Sequence, residues 1–356
     1  MEAFTEEKPV NVGVVGTGLV GMNLANILLE RDFPLADVRI FASERSAGET
    51  VQRFGRGVIV ELAEAADYSG LDIVFNAAPA EFSKEHAVRI AEQGPTFIDS
   101  SSAWRQNPLV PLLIPEINPE VIDDIELGIV AKPNCTTTIG ALALHYLHQH
   151  AGLKSIDAST YQSTSGQGQH GITEHRDQVR QLANRGDELL YGRMDRRLHP
   201  SYPLPKVFPT ITAFNVAPMA GVFEDGSDHT TEELKFKNEM RKIFGRSPEE
   251  LPIDVTCARA SVVNGHSLSI HAEFEDEITT AEASEILARA EGVQLHTRDI
   301  PQPINAVGTD PVHVGRLRQS ERFGKHGLNF WVVGDNLRKG AALNMVQGAE
   351  LLIKNR

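Results

Sequence analysis

The sequence predicts an α/β protein in two parts: a Rossmann-like parallel-sheet domain, then an α+β domain, with a C-terminal helix returning to the first. Three observations predict it. A glycine loop, Gly16-Thr17-Gly18-Leu19-Val20-Gly21, stands between a β-branched run and an apolar helical segment. Short strands alternate with helices through the first third, which implies βαβ units and a parallel sheet. Beyond Pro133–Asn134 the strands lengthen and alternate in polarity, with helices set between them, as in a mixed or antiparallel sheet covered on one face.

Val10–Val15 reads as a buried strand and Val20–Glu30 as a helix. Asp37–Ala42 is the next strand, followed by the strand Asp72–Ala78, the helix Glu81–Gln93 and the strand Thr96–Ser100. In the second part, strands are expected over Ser155–Ser163, Ile211–Val216, Ile253–Val263 and Ser267–Glu275. Helices are expected over Thr230–Phe244 and Thr280–Ala290. Ala183–Pro209, rich in Arg, Pro and Gly, reads as an irregular excursion. Arg338–Leu352 has helical spacing of Ala341, Leu343, Val346, Ala349 and Leu352. The domains expected are 1–133, 134–336 and a terminal helical segment, 337–356; 356 residues exceed what one core usually supports.

The formal net charge is −14 and the basic residues are scattered. Nucleic acid and anionic membrane are therefore not expected partners, since both demand a basic surface. Two cysteines, Cys135 and Cys257, are too few for a disulfide framework, which favours a reducing, cytoplasmic setting. The polar segment Met1–Lys8 lacks a signal-peptide core, and no run approaches a membrane span. No metal-ligand pattern is present.

The glycine loop has the form that lets backbone amides at a helix start face a pyrophosphate. Gly16 permits the tight turn, Gly18 the close approach, and Gly21 the packing of helix on strand. An NAD site usually has an acidic residue about 20 positions further on. Here the second strand runs into Ser43-Glu44-Arg45-Ser46. Ser43, Arg45 and Ser46 suit a 2′-phosphate, so NADP is expected; Glu44 would suit a 2′-hydroxyl, and Arg45 could be a plain surface residue.

Cys135 lies at a strand-to-helix switch, between a strand ending near Ala131 and a helix beginning near Thr136. A helix start favours thiolate over thiol, and its N–H groups can hold an oxyanion. A nucleophilic cysteine beside a nicotinamide implies acyl transfer to sulfur followed by hydride transfer. Of the 13 histidines, His266, between two strand-like runs, is the best acid/base partner. Cys257, inside a strand pattern, reads as core.

Nearly end to end, the residues resemble the aspartate-semialdehyde dehydrogenase family. The resemblance is carried by the glycine loop, Arg45-Ser46-Ala47-Gly48, Trp104-Arg105-Gln106-Asn107-Pro108 and Pro115-Glu116-Ile117-Asn118. It continues through Pro133-Asn134-Cys135-Thr136-Thr137, Thr160-Tyr161-Gln162-Ser163, Glu232-Glu233-Leu234-Lys235 and Arg259 seven places before His266. Val314-Gly315-Arg316 and Asp335-Asn336-Leu337-Arg338-Lys339-Gly340 close the series. The chain departs from the pattern at Ala260-Ser261-Val262, Asn76-Ala77-Ala78-Pro79 and Gln167-Gly168-Gln169-His170.

The resemblance implies NADPH-dependent reduction of L-4-aspartyl phosphate to aspartate semialdehyde and phosphate, within lysine, threonine and methionine biosynthesis. It implies that Cys135 accepts the acyl group, His266 serves acid/base chemistry and Gln162 orients the intermediate. Arg259 would bind the α-carboxylate and Glu232, or its neighbour Glu233, the amino group. Arg105, Lys235 and Asn134 would hold phosphate, and Asn336 would touch the nicotinamide amide. It further implies a homodimer formed through the second domain. The alternatives are a related acyl-phosphate or acyl-CoA reductase, such as N-acetylglutamyl-phosphate reductase or malonyl-CoA reductase, and a catalytically silent paralogue.

Overall fold

Residues 8–190 and 204–354 are described by a computed structural model. The N-terminal segment read for a signal peptide therefore falls almost wholly outside the described residues. So does the middle of the expected excursion, at 191–203.

The first part of the chain runs β1 (Val10–Val15), α1 (Leu19–Glu30), β2 (Leu35–Ala42), β3 (Thr50–Arg53), β4 (Arg56–Leu62), β5 (Ile73–Asn76), α2 (Ala80–Ala91), β6 (Thr96–Asp99) and β7 (Ile129–Ala131). The sheet order is β3-β4-β2-β1-β5-β6-β7, and every neighbouring pair except β3–β4 is parallel. Strand order reverses between β1 and β5, the place where open α/β sheets leave a crevice beyond their carboxyl ends. The β3–β4 hairpin was not expected. Its turn, Phe54-Gly55, has φ of 53° and 70°, the left-handed pair a two-residue hairpin favours.

The second part comprises α3 (Cys135–Ala151), β8 (Leu153–Gln162), α4 (Gly168–Leu182), α5 (Gly186–Leu190), β9 (Val216–Ala217), α6 (Thr231–Phe244), β10 (Ile253–Ala260) and β11 (His266–Phe274). There follow α7 (Thr280–Arg289), β12 (Val293–His296), α8 (Pro303–Ala306), β13 (Val312–Ser320) and β14 (Gly324–Gly334). The strands form a mixed sheet in the order β12-β13-β14-β11-β8-β10-β9. Helices α3, α6 and α7 cover one face, where Leu142, Phe236, Met240, Leu268, Ile270 and Leu287 are buried together.

The expected strand at Ile211–Val216 is corrected to Val216–Ala217. The Thr212 and Ala213 N–H groups donate instead to the buried Gln178 Oε1 on α4, at 2.8 and 3.3 Å, so they are lost to a ladder. After β14 a π-helical turn, Arg338–Ala342, leads into α9 (Leu343–Lys354). Leu343, Met345, Val346 and Ala349 pack with Val12, Val14, Leu24 and Ile27 of the first sheet and α1. The returning helix is therefore part of that sheet's core. Among the described residues no helix is long and apolar enough to cross a membrane.

Candidate active site

Helix α3 begins on Cys135 itself. Asn134 caps it: its Oδ1 accepts the Thr136 N–H at 3.0 Å and the Thr136 hydroxyl at 2.7 Å. The Asn134 N–H donates to Glu239 Oε2 at 2.6 Å, and its Nδ2 to Glu232 Oε2 at 3.1 Å. Both carboxylates come from α6, seven residues apart and so on one helical face. Asn134, expected as a phosphate ligand, is thus heavily engaged in joining the Cys135 helix to α6.

Two parallel strands bring the next residues together. β8 pairs with β10 so that Gln162 stands opposite Arg259, and the antiparallel β11 starts at His266. Their ends, with Cys135, border a cavity of about 420 Å³ that Arg105, Glu232, Lys235 and Asn336 also line. The Gly18-Leu19-Val20 start of α1 forms its far wall. Every residue expected for catalysis or substrate binding therefore meets in one cleft, partly open to the outside.

His266 is fully buried. Its Nδ1 accepts the Ser163 N–H at 3.0 Å, which leaves Nε2 as the nitrogen that carries the proton in the neutral ring. Nε2 has no partner. Burial, then the Arg259 charge, pushes the imidazole down to about 3. A histidine titrating near neutrality was expected; this one is neutral there and points an N–H into the cleft.

The thiol also differs from expectation. Burial pushes the Cys135 pKa up in spite of the helix start, and Glu232 adds to this; Lys132, Arg105 and Arg259 pull the other way. Cys257 is buried in β10, and its thiol is pushed up to about 12 chiefly by burial, as suits a core residue.

Glu232 and Glu233 have separate tasks. Glu233 completes a capping box with Thr230 at the start of α6 and accepts the Cys257 N–H at 3.0 Å. Glu232 faces the cleft. Burial opposes its charge, but Lys235, at 2.8 Å, with Arg259 and Asn134, holds its carboxyl below the usual range. Arg259 is buried, with Nη1 donating to the Ser163 carbonyl at 2.6 Å and its guanidinium over the Phe208 ring. Arg105 pairs with Glu239 at 2.9 Å, and its buried Nε has no partner. Asn336 is mostly committed: its Oδ1 accepts the Gly265 N–H and the Ser163 hydroxyl, and Nδ2 donates to Ser165. It braces the His266 loop from the edge of the cleft.

The glycine loop fits a dinucleotide. Gly16 has φ of +108°, and a Cβ on Gly21 would sit 2.0 Å from the Gly16 carbonyl oxygen. A Cβ on Gly18 would meet nothing within 4 Å, so that backbone is open to a ligand. No side chain caps α1 and no acid lies in its first turn, which leaves its N–H groups free for phosphate. Gly16, Thr17 and Gly21 lie behind the cleft wall, around a small void with Phe54. Ser43, Glu44 and Arg45 are exposed in the turn after β2, with Ser46 partly covered, all outside the cleft lining.

Residues 11–125 match the family model "Semialdehyde dehydrogenase, NAD binding domain", and residues 144–339 match "Semialdehyde dehydrogenase, dimerisation domain". The aspartate-semialdehyde dehydrogenase of Streptomyces akiyoshiensis is 45% identical over 350 residues, covering 96% of this chain and 98% of its own. The chain belongs to the aspartate-semialdehyde dehydrogenase family. A family member from Aquifex aeolicus is 41% identical over 96% of this chain and 98% of its own. Among solved structures, Vibrio cholerae aspartate semialdehyde dehydrogenase II complexed with ASA superposes with a TM-score of 0.89 at 36% identity, over 98% and 99% of the two chains.

The site contains groups of this family member that sequence reading passed over. Glu239 shares the face of Glu232 and Lys235 on α6, a spacing visible in the sequence. Lys132, three places before Cys135, lines the cleft with its Nζ donating to the Pro133 carbonyl at 2.6 Å and to the Gly340 carbonyl. A cation closing the apolar run Ile129–Ala131 was its signal.

Proposed function

We propose that the chain catalyses NADPH-dependent reductive dephosphorylation of L-4-aspartyl phosphate to L-aspartate 4-semialdehyde and phosphate, a step toward lysine, threonine and methionine. One observation carries the reading: a single cleft presents a nucleophilic thiol between a carboxylate–guanidinium pair, Glu232 and Arg259, and a further cationic group. An α-amino acid bearing an acyl phosphate offers the complementary charges.

In this mechanism the Cys135 thiolate attacks the acyl carbon, and phosphate leaves toward Lys235 and the free Nε of Arg105. Arg259 grips the α-carboxylate, with a planar fork suited to that group, and Glu232 the ammonium. The His266 Nε2–H donates to the oxygen on which negative charge develops, and Gln162 orients the acyl group. The α1 N–H groups would hold NADPH, with Ser43, Arg45 and Ser46 available to its 2′-phosphate, and the bound cofactor would supply hydride. Reduction of the thioester then releases aldehyde and restores Cys135.

The enzyme is proposed to be a cytoplasmic homodimer associating through the second domain. The domain division proposed is 1–133 and 134–336, with 337–356 packed on the first.

Phosphate-dependent reduction of NADP by aspartate semialdehyde tests the reading. Turnover is expected with the free amino acid and not with its N-acetylated glutamyl homologue. Absence of turnover with any acyl phosphate or aldehyde would overturn it.

A further inference from the structure

We propose that Lys132 is the fixed counter-cation of the Cys135 thiolate, a positioning residue acting through the nucleophile's charge; this rests on Cys135 being the nucleophile proposed above. A buried ammonium needs an anion, because desolvation without a partner is costly. Lys132 is only 4% exposed, and among the described residues no carboxylate lies within salt-bridge distance of it. The other lysine and one arginine of the cleft are already matched, Lys235 by Glu232 and Arg105 by Glu239.

Its ammonium is clamped in place. Pro133 and Gly340 each give it a carbonyl, which neutralises no charge. Gly340 packs directly on the nucleophile, since a Cβ there would come within 2.9 Å of the Cys135 Cβ. The ammonium is thus tied to the residue before Cys135's cap and to the residue lying against Cys135. A four-carbon stem that would otherwise sweep the cleft is fixed in the wall it shares with Cys135.

The charged groups around the thiol are Lys132 before α3, Glu232 on α6, Arg105 after β6, and Arg259 on β10, with His266 on β11 neutral. Burial and Glu232 disfavour the thiolate, and Lys132 is the largest opposing influence. On ionisation the S–H bond breaks, its electron pair stays on sulfur and the proton leaves through the open cleft to water. The attraction is mutual: burial, with Arg105, holds the lysine down to about 8, and Cys135 is the largest anionic influence raising it, ahead of the more distant carboxylates of Glu239 on α6 and Asp99 on β6.

The test is the pH dependence of iodoacetamide alkylation at Cys135, read by peptide mass, on the full-length enzyme and on Lys132→Met, Lys132→Gln and Lys132→Arg. The midpoint is expected to rise by about one unit or more in the Met variant, slowing alkylation at pH 7 about tenfold, and to be largely restored in the Arg variant. If Lys132→Met fails to fold, Lys132→Gln, which keeps an N–H donor without charge, replaces it. Superimposable profiles for the charged and uncharged forms overturn the proposal. So does an unmoved profile with a raised KM for inorganic phosphate in the reverse reaction, which would make Lys132 a phosphate ligand. Failure of the underlying reading is distinguishable: a Cys135→Ser enzyme that still turns over removes the nucleophile itself.

Discussion

His266 accepts the Ser163 main-chain N–H at Nδ1, 3.0 Å away, and this contact decides which nitrogen of the ring faces the cleft. A main-chain N–H cannot become an acceptor, so the neutral ring keeps its proton on Nε2.

For catalysis, His266→Asn should lower kcat by about 10²- to 10⁴-fold while leaving Cys135 open to alkylation. Cys135→Ala should remove turnover by about four orders of magnitude or more. Single-turnover hydride transfer, with alkylation as the control, separates the two. An Asn variant with normal kcat would contradict the donor role.

The same imidazole links stability to pH. Its folded pKa, pushed down to about 3, lies below its unfolded value near 6.5, so between these the unfolded chain binds the extra proton. Stability from this group is complete above pH 6.5 and is lost as pH falls toward 3, at up to about 1.4 kcal/mol per pH unit. Chemical denaturation across that window should show a flatter acid limb for His266→Phe than for the parent.

Glu232 and Glu233 offer a paired test. Glu232→Gln should raise the KM for aspartate semialdehyde about tenfold or more, since an ionic contact to substrate is lost. Glu233→Gln should cost about 1 kcal/mol of stability through the weakened cap, with KM unaltered. The opposite assignment of effects would reverse their roles.

At the glycine loop, Gly21→Ala should unfold or severely destabilise the protein, because its methyl would lie 2.0 Å from the Gly16 oxygen. Gly18→Ala should fold normally, with open space around the new methyl, yet raise the KM for NADPH. Thermal melts with and without NADPH check both.

Arg45→Ala should erode preference for NADPH over NADH by about tenfold in kcat/KM, the loss of one charge-assisted contact to phosphate. The exposed Glu44 beside it should, as Glu44→Gln, move the ratio the other way. Steady-state kinetics with both cofactors decide.

Much of this was legible because apolar spacing reports burial. Val10–Val15, α3 and α6 follow from pattern, and the glycine loop announced its own geometry. The Thr50–Arg53 and Arg56–Leu62 hairpin was missed although Val51, Val58 and Val60 alternate, because its turn residue Phe54 takes a left-handed φ that its side chain does not advertise. Ile211–Val216 misled because propensity cannot see Gln178 taking the amides of Thr212 and Ala213. In the site, residue types were readable while their states were not. The tautomer of His266 depends on a main-chain group 103 positions away, and the thiol's acidity on three cations and a carboxylate from four separate segments.

The return of α9 to the first sheet has a consequence for the order in which the molecule is made. Val12, Val14, Leu24 and Ile27 are synthesised early, yet Leu343, Met345, Val346 and Ala349, which close over them, emerge some three hundred residues later. On a chain growing from its N-terminus, the dinucleotide half waits, part of its apolar surface uncovered, until α9 has left the ribosome. The catalytic half has all its strands before then. Helix α9 therefore acts as a latch on the first sheet.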